Sequence, residues 1–382
     1  MSSNHQSVYF PNLNGVRFIA AFAVFIHHVE QIKHKLNLKS IYYGFVSDNM
    51  GRLGVGLFFV LSGFLITYLL LDEKRRNGVI HAKNFYIRRI LKIWPLYYII
   101  FVLSFFVFPL FPILNEPNTD FILHDAHYTF RLILFMFFLP NLSIVLFNSP
   151  YLCMQTWSIG IEEQFYAIWP WIIGSKNPFK TLGKFVLIIL SIAILLYIVI
   201  FQSGWVSLSF QEFFKIKSLH FLGQFRISVM IIGSGGAFLV FYSKTKILSF
   251  IYRKDTQLLV YSIFVGLLFA GLHPNHFNLE FYGLFFCFFI LNVSSNPKSL
   301  INLNNFILEY LGRISYGIYI YHTTIVLMII RFTKNYINSD TEPWLFNIIV
   351  YSLSILFTII VCHLSFKYIE TPILKLKKKF IM

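Results

Sequence analysis

Apolar runs of about twenty residues, the length that crosses a hydrocarbon core, recur along nearly the whole chain and are separated by short, mostly basic stretches. The pattern predicts ten spanning helices, over 14–33, 52–71, 93–112, 157–174, 184–202, 226–243, 257–272, 277–293, 311–331 and 344–366. An eleventh apolar stretch, 131–147, is cut by Pro140 and Asn141, and the placement of Lys and Arg argues against a crossing there. With ten crossings the inner loops and carboxyl tail hold about 20 Lys and Arg and the outer loops about 10. An eleventh crossing would put Lys244, Lys246, Arg253, Lys254 and the tail lysines Lys375, Lys377, Lys378 and Lys379 outside. The expected fold is all-α: a polytopic membrane bundle of about ten helices with both termini cytoplasmic, and 131–156 partly buried or re-entrant on the outer side.

Composition agrees with that class. With 57% hydrophobic residues, 13% charged, 46 Phe and 22 Tyr in 382 residues, the chain has too little polar surface to enclose itself in water. Its net charge of +16 reads as membrane topology rather than nucleic-acid binding, because the cations sit in loops between apolar runs. Nothing resembling a polar, Pro-rich or Gly/Ser-rich linker divides 1–382, so one membrane domain is expected. Cys153, Cys287 and Cys362 have neither a disulfide framework nor metal-ligand spacing and read as apolar packing; no metal is expected. A removable signal peptide is the other reading of the amino terminus, but Arg17, His27 and His28 interrupt the apolar run and no small-residue cleavage pattern follows, so the segment should remain as a span.

Ionisable groups inside a span mark chemistry. Arg17 and His28 lie in the first run. Eleven residues amount to about three turns plus roughly 20°, so both side chains share a face, about 16 Å apart along the axis. They can line one passage from surface to midplane. His27 points about 100° away and is expected to pack against another helix. The first cytoplasmic loop carries Lys74, Arg75, Arg76, Lys83, Arg88, Arg89 and Lys92, ending in FYIRRILKIWPLYY. Anchoring against anionic lipid explains Arg75 and Arg76 as well as any ligand does. Arg88 and Lys92, at i and i+4, share a helical face suited to several phosphate oxygens; with Arg89 they suggest a site for an anionic nucleotide or coenzyme.

A third cluster, TWSIGIEEQFYAIWP, places Glu162 and Glu163 at the outer start of the fourth span, flanked by Trp157, Tyr166 and Trp169. The aromatic residues also suit an interfacial belt. Two adjacent carboxylates diverge by about 100°, so one of them must find a donor inside the protein. Glu162 can pair with Arg17 or His28, or hold acceptor hydroxyls. In GRLGVGLFFVLSGFLI the residues Gly54, Gly56, Ser62 and Gly63 read as close helix packing, since Ser62 has no nucleophile-elbow context.

Arg17 with His28, FFVLSGF at 58–64, RRILKIWP at 88–95, WSIGIEEQFY at 157–166 and ISYGIYIYH at 314–322 together, and in this order, resemble the acyltransferase-3 family of integral membrane proteins. The resemblance covers nearly the whole chain. It implies ten core helices in the bacterial cytoplasmic membrane and transfer of an acyl group, commonly acetyl from acetyl-coenzyme A, to a hydroxyl of a cell-envelope glycan or lipid-linked sugar. Two positions depart from the family pattern: Lys92 stands where Arg is more usual, keeping the charge without the bidentate fork, and YHTTI replaces a more apolar stretch at the family's ninth-span histidine. The fused extracytoplasmic hydrolase-like domain of some relatives is not expected.

A thioester is already activated, so the reaction needs a base for the hydroxyl, oxyanion donors and orientation. His28 is the expected base; Arg17 holds the coenzyme, with Arg88, Arg89 and Lys92 at its phosphates. Glu162 completes the catalytic group, while Glu163, Trp157, Tyr166, His322 and Tyr319 are expected on the acceptor side, with Tyr316 below them. The competing class is a transporter using the same buried Arg, His and Glu groups as a solute or proton path; it explains neither the cationic loop nor the ordered motifs. A glycan-binding protein without turnover is a third reading.

Overall fold

The computed structural model describes residues 9–42, 45–115, 127–147, 150–201, 207–224, 226–271 and 278–376. Those residues are helical or irregular, with no strand among them. In chain order the helices are α1 (Leu13–Lys35), α2 (Phe45–Asn77), α3 (Ala82–Val102), α4 (Tyr128–Met136), α5 (Pro140–Leu146), α6 (Trp157–Gly174), α7 (Pro178–Phe201), α8 (Leu208–Gln224), α9 (Ile227–Phe241), α10 (Thr245–Ile251), α11 (Lys254–Ala270), α12 (Asn278–Ser295), α13 (Phe306–Arg313), α14 (Ser315–Thr333), α15 (Pro343–Ser365) and α16 (Thr371–Leu376).

Helices occupy all ten stretches that hydropathy marks as spans, although the edges at 202, 272 and 277, like Lys377, Lys378 and Lys379, lie outside the described residues. Among the described residues six helical segments are individually long and apolar enough to cross a bilayer, and eight if two bent pairs, α9 with α10 (113°) and α13 with α14 (69°), each count as one. Of the remaining two, α6 is diluted by Glu162, Glu163 and Gln164, and α11 has only 17 residues. The 131–147 stretch is two short helices, α4 and α5, broken at Phe138, whose φ is +58°; neither reaches bilayer length. A reciprocal amide pair, Asn141 with Gln164 at 2.9 and 3.3 Å, fastens α5 to α6.

The long helix α2 is the centre of the bundle and packs against α1, α9, α12 and α6. Its crossing with α9 is closed by two glycines: a Cβ on Gly63 would fall on the carbonyl oxygen of Met230, and one on Gly233 on that of Val60. Backbones that approach this closely are the small-residue mode of helix association. Gly233→Ala is therefore expected to cost about 3 kcal/mol or more, at or above the usual overpacking range because backbone rather than a side chain must move. A clear fall in the detergent-solubilised melting temperature checks it; unchanged melting would show that the crossing yields.

α1 starts at Asn12, whose side chain donates to the Val293 carbonyl (2.8 Å) and accepts from the Leu303 amide (2.6 Å). Near its far end Glu30 and Lys33 form a buried ion pair at 2.9 Å. Glu30 also accepts from Tyr351 Oη (2.7 Å), Ser40 Oγ (3.1 Å) and the Ile41 amide (2.8 Å), which satisfies a charge that burial alone would not tolerate. The pair pins the segment after α1 back onto the bundle. At the opposite end of the molecule Lys74 caps α6 through the carbonyls of Ile173 and Ser175 (3.0 and 2.6 Å), and Arg75 and Arg76 pair with Asp72. This basic end carries the start of α1, the end of α2 and the start of α3.

Candidate functional site

Two cavities lie end to end along the shared face of α1. The one toward the basic end, about 330 Å³, is lined by Arg17 of α1, Ser62 of α2, Arg89 and Lys92 of α3, Glu162 and Tyr166 of α6, and Arg313, Ser315 and Tyr316 at the α13–α14 bend. Arg17 Nη1 donates to Asn14 Oδ1 (2.5 Å), Asn14 Nδ2 to Glu309 Oε1 (2.8 Å), and Arg313 Nε lies 3.4 Å from the same carboxylate oxygen. Gly312 makes this chain of contacts fit, since a Cβ there would collide with the Asn14 carbonyl. Glu162 accepts from Ser62 Oγ at 2.8 Å and Tyr166 Oη at 3.4 Å. The Arg89 guanidinium lies 5.7 and 6.0 Å from the Phe85 and Tyr166 ring centroids, and its Nε is buried without a hydrogen-bond partner.

The second cavity, about 350 Å³, is lined by His27, His28 and Gln31 of α1, Gly51 and Arg52 of α2, Gln155, Trp157, and Thr323 of α14. Its chemistry is set by a pair of imidazoles: His28 Nδ1 lies 2.8 Å from His322 Nε2, and His322 Nδ1 lies 2.8 Å from the Ile318 carbonyl. A carbonyl only accepts, so His322 Nδ1 carries a proton. In the neutral ring its Nε2 is then a lone pair, which takes the proton of His28 Nδ1. The hydrogen bonds thus assign the remaining lone pair of His28 to Nε2, the arrangement a general base requires. His27 packs as its spacing suggests, its ring over Gly51, where a Cβ would sit 2.5 Å from it, and it also lines the cavity.

Val55 and Tyr319 line both cavities. Tyr319 is held there by Ser158 Oγ (2.6 Å) and the Gln155 carbonyl (2.8 Å), with Phe58 edge-on at 5.8 Å.

The sequence-predicted residues divide between these spaces. Arg17, Arg89, Lys92, Glu162, Tyr166 and Tyr316 meet in the first, His28 and Trp157 in the second with His322 hydrogen-bonded behind His28, and Tyr319 stands between. Four expectations shift. Arg88 turns to α2 and pairs with Glu73 at 2.8 Å, so the cation sharing the cavity with Lys92 is Arg89, at i and i+3. Glu162 is not at the far mouth but five residues into α6, about 7.5 Å along the axis, in the cavity of Arg17. Tyr166, one turn on, accompanies it there, and Glu163 faces α3 instead, accepting from Trp94 Nε1 at 3.3 Å. Asn14, Arg313 and Gln155 were not anticipated. Only Asn14 carried a signal, its i, i+3 spacing to Arg17; the other two are placed by the α13–α14 bend and by the turn before α6.

Residues 10–363 match the family described as an acyltransferase domain. The chain is 28% identical to the peptidoglycan O-acetyltransferase OatA of Listeria monocytogenes serovar 1/2a over 98% of its own length and 57% of the relative's. It is 27% identical to the O-acetyltransferase OatA of Staphylococcus aureus strain NCTC 8325 and to a putative O-acetyltransferase of S. aureus strain COL, over 96% of this chain and 57% and 58% of those proteins. The chain thus spans a little over half the length of these curated relatives. No solved structure matches it. Carrying the family's match over all but its ends, together with the ordered Arg17, His28, Arg89, Glu162 and His322 that the fold gathers around two adjoining cavities, this chain belongs to the acyltransferase-3 family.

Proposed function

We propose that the protein moves an acetyl group from coenzyme A, bound in the cavity of Arg17, Arg89 and Lys92, to a hydroxyl of a cell-envelope glycan presented beside His28. The observation that carries this reading is the pair of cavities meeting at Val55 and Tyr319, with Arg17, Arg89 and Lys92 in one and the His28–His322 pair at the other. Arg17 and His28 are about 16 Å apart along α1, comparable to an extended pantetheine arm, so a coenzyme held by its phosphates in the first cavity presents its thioester in the second. The unpartnered Arg89 Nε is a donor suited to a phosphate oxygen. The basic end is then cytoplasmic, with both termini on that side, ten helices crossing the cytoplasmic membrane and α4–α5 re-entrant.

In this scheme His28 Nε2 takes the acceptor hydroxyl proton as its oxygen attacks the thioester carbonyl. The carbon–sulfur bond then breaks, and the imidazolium returns the proton to the leaving thiolate. Holding both reactants in one enclosed path supplies orientation that a bimolecular encounter lacks. The test is the full chain in proteoliposomes with labelled acetyl-coenzyme A and cell-wall glycan: label and a mass gain of one acetyl group on the glycan support the reading, and thioester left intact defeats it. Arg89→Gln is expected to raise KM for acetyl-coenzyme A about tenfold with a smaller change in kcat, and Arg89→Lys to recover part of the loss. An unchanged KM would remove Arg89 from the coenzyme site.

A further inference from the structure

The cavity at His28 carries more recognition chemistry than an isolated hydroxyl needs. Gln155 is 2% exposed, and its Nε2 donates to the carbonyls of Leu152 (3.1 Å) and Ile320 (2.9 Å). Reversing the amide would set its oxygen against two carbonyl oxygens, so the orientation is fixed. Its Oε1 is left buried without a hydrogen-bond partner, and so is Oγ1 of Thr323, the neighbour of His322. Both residues line the cavity. Buried polar atoms are ordinarily satisfied, and a sugar hydroxyl, donor and acceptor at once, satisfies both.

The second observation is charge. Lys35, Arg52 and Arg226 line the same cavity, from the end of α1, from within α2 and from the cap of α9, with Glu280 standing 3.9 Å from Arg226 and accepting from Ser228. In the orientation given above these three cations lie on the side where Lys and Arg are scarce. Topology does not account for them there.

We infer that the acceptor is an anionic glycan: the hydroxyl to be acetylated and its neighbour sit on Gln155 and Thr323 beside His28, and a carboxylate or phosphate on the same or adjacent sugar sits among Lys35, Arg52 and Arg226. This rests on the transferase reading. It adds a selectivity that the reaction itself does not demand, since only the rim distinguishes a charged acceptor from a neutral one.

The test is acetyl transfer by the full chain in proteoliposomes to three oligosaccharides of one skeleton: neutral, carrying a uronate, and carrying a phosphate monoester. The expected result is that kcat/KM for one or both anionic acceptors exceeds that for the neutral one about tenfold or more, the better anion identifying the source of the charge. Arg226→Gln and Lys35→Gln should each cut that preference about tenfold through the acceptor KM, and Arg226→Lys should restore part of it, a pattern that a merely structural role would not give. Equal use of the three acceptors, or a preference that survives Arg226→Gln and Lys35→Gln, would overturn the anionic site while leaving the transferase intact. Failure to consume thioester with any acceptor would overturn both.

Discussion

His28→Ala is expected to lower the rate of acetyl transfer by about 10²–10⁴-fold, the range that loss of a positioned general base produces, while the coenzyme still binds. The second half of the expectation follows from geometry: His28 lies in one cavity and Arg17, Arg89 and Lys92 in the other, with Val55 and Tyr319 between. A substitution confined to the imidazole should therefore move kcat and leave the affinity for coenzyme A within a few-fold of the parent. Label transfer to glycan, measured beside direct binding of coenzyme A, separates the two. Transfer at the parental rate would take the base role from His28, and with it the assignment of the free lone pair to Nε2.

The hydrogen-bond chain makes a graded companion. His322 is fully buried, donates to the Ile318 carbonyl and accepts from His28 Nδ1, so it acts on the reaction by fixing which nitrogen of His28 is protonated. His322→Leu removes that acceptor and should slow transfer; His322→Gln, which offers a carbonyl oxygen to His28, should slow it less. Equal losses for the two would mean that His322 serves only packing.

How much of this was legible in the sequence depends on how local the cause is. The all-helical class follows from the lengths of the apolar runs, and the common face of Arg17 and His28 from helical period alone. The facing of adjacent residues is a different matter. Arg88 and Arg89, or Glu162 and Glu163, differ by about 100°, and which one turns inward depends on the rotation of α3 and α6 against their neighbours. Those rotations are set by distant contacts: Glu73 takes Arg88, and Trp94 takes Glu163. The contact of His28 with His322 joins residues 294 positions apart and becomes visible only when α14 docks on α1. Gln155 was hidden for a related reason, because its significance is an oxygen left without a partner after two donors are used.

The meeting of the two cavities gives the other large expected effect. If the acyl arm reaches His28 from the basic end, it passes between Val55 and Tyr319, and Val55→Phe should block it. Val55 is 6% exposed, so the added ring has no route to the surface. Tyr319 opposite is held by Ser158 and the Gln155 carbonyl and has little freedom to retreat. The aromatic ring therefore occupies the passage itself. Transfer is expected to fall by about 100-fold or more, since a displacement of the reacting atoms near 1 Å already costs that much. Coenzyme binding should persist, because Arg17, Arg89 and Lys92 lie to one side of the constriction. Val55→Ala keeps the passage open and should retain most of the activity, which separates obstruction from the general cost of repacking a buried site. The decisive measurement pairs coenzyme affinity with label transfer in Val55→Phe. Coenzyme bound and transfer lost supports passage between Val55 and Tyr319, whereas transfer at the parental rate would mean that the thioester approaches His28 by another way.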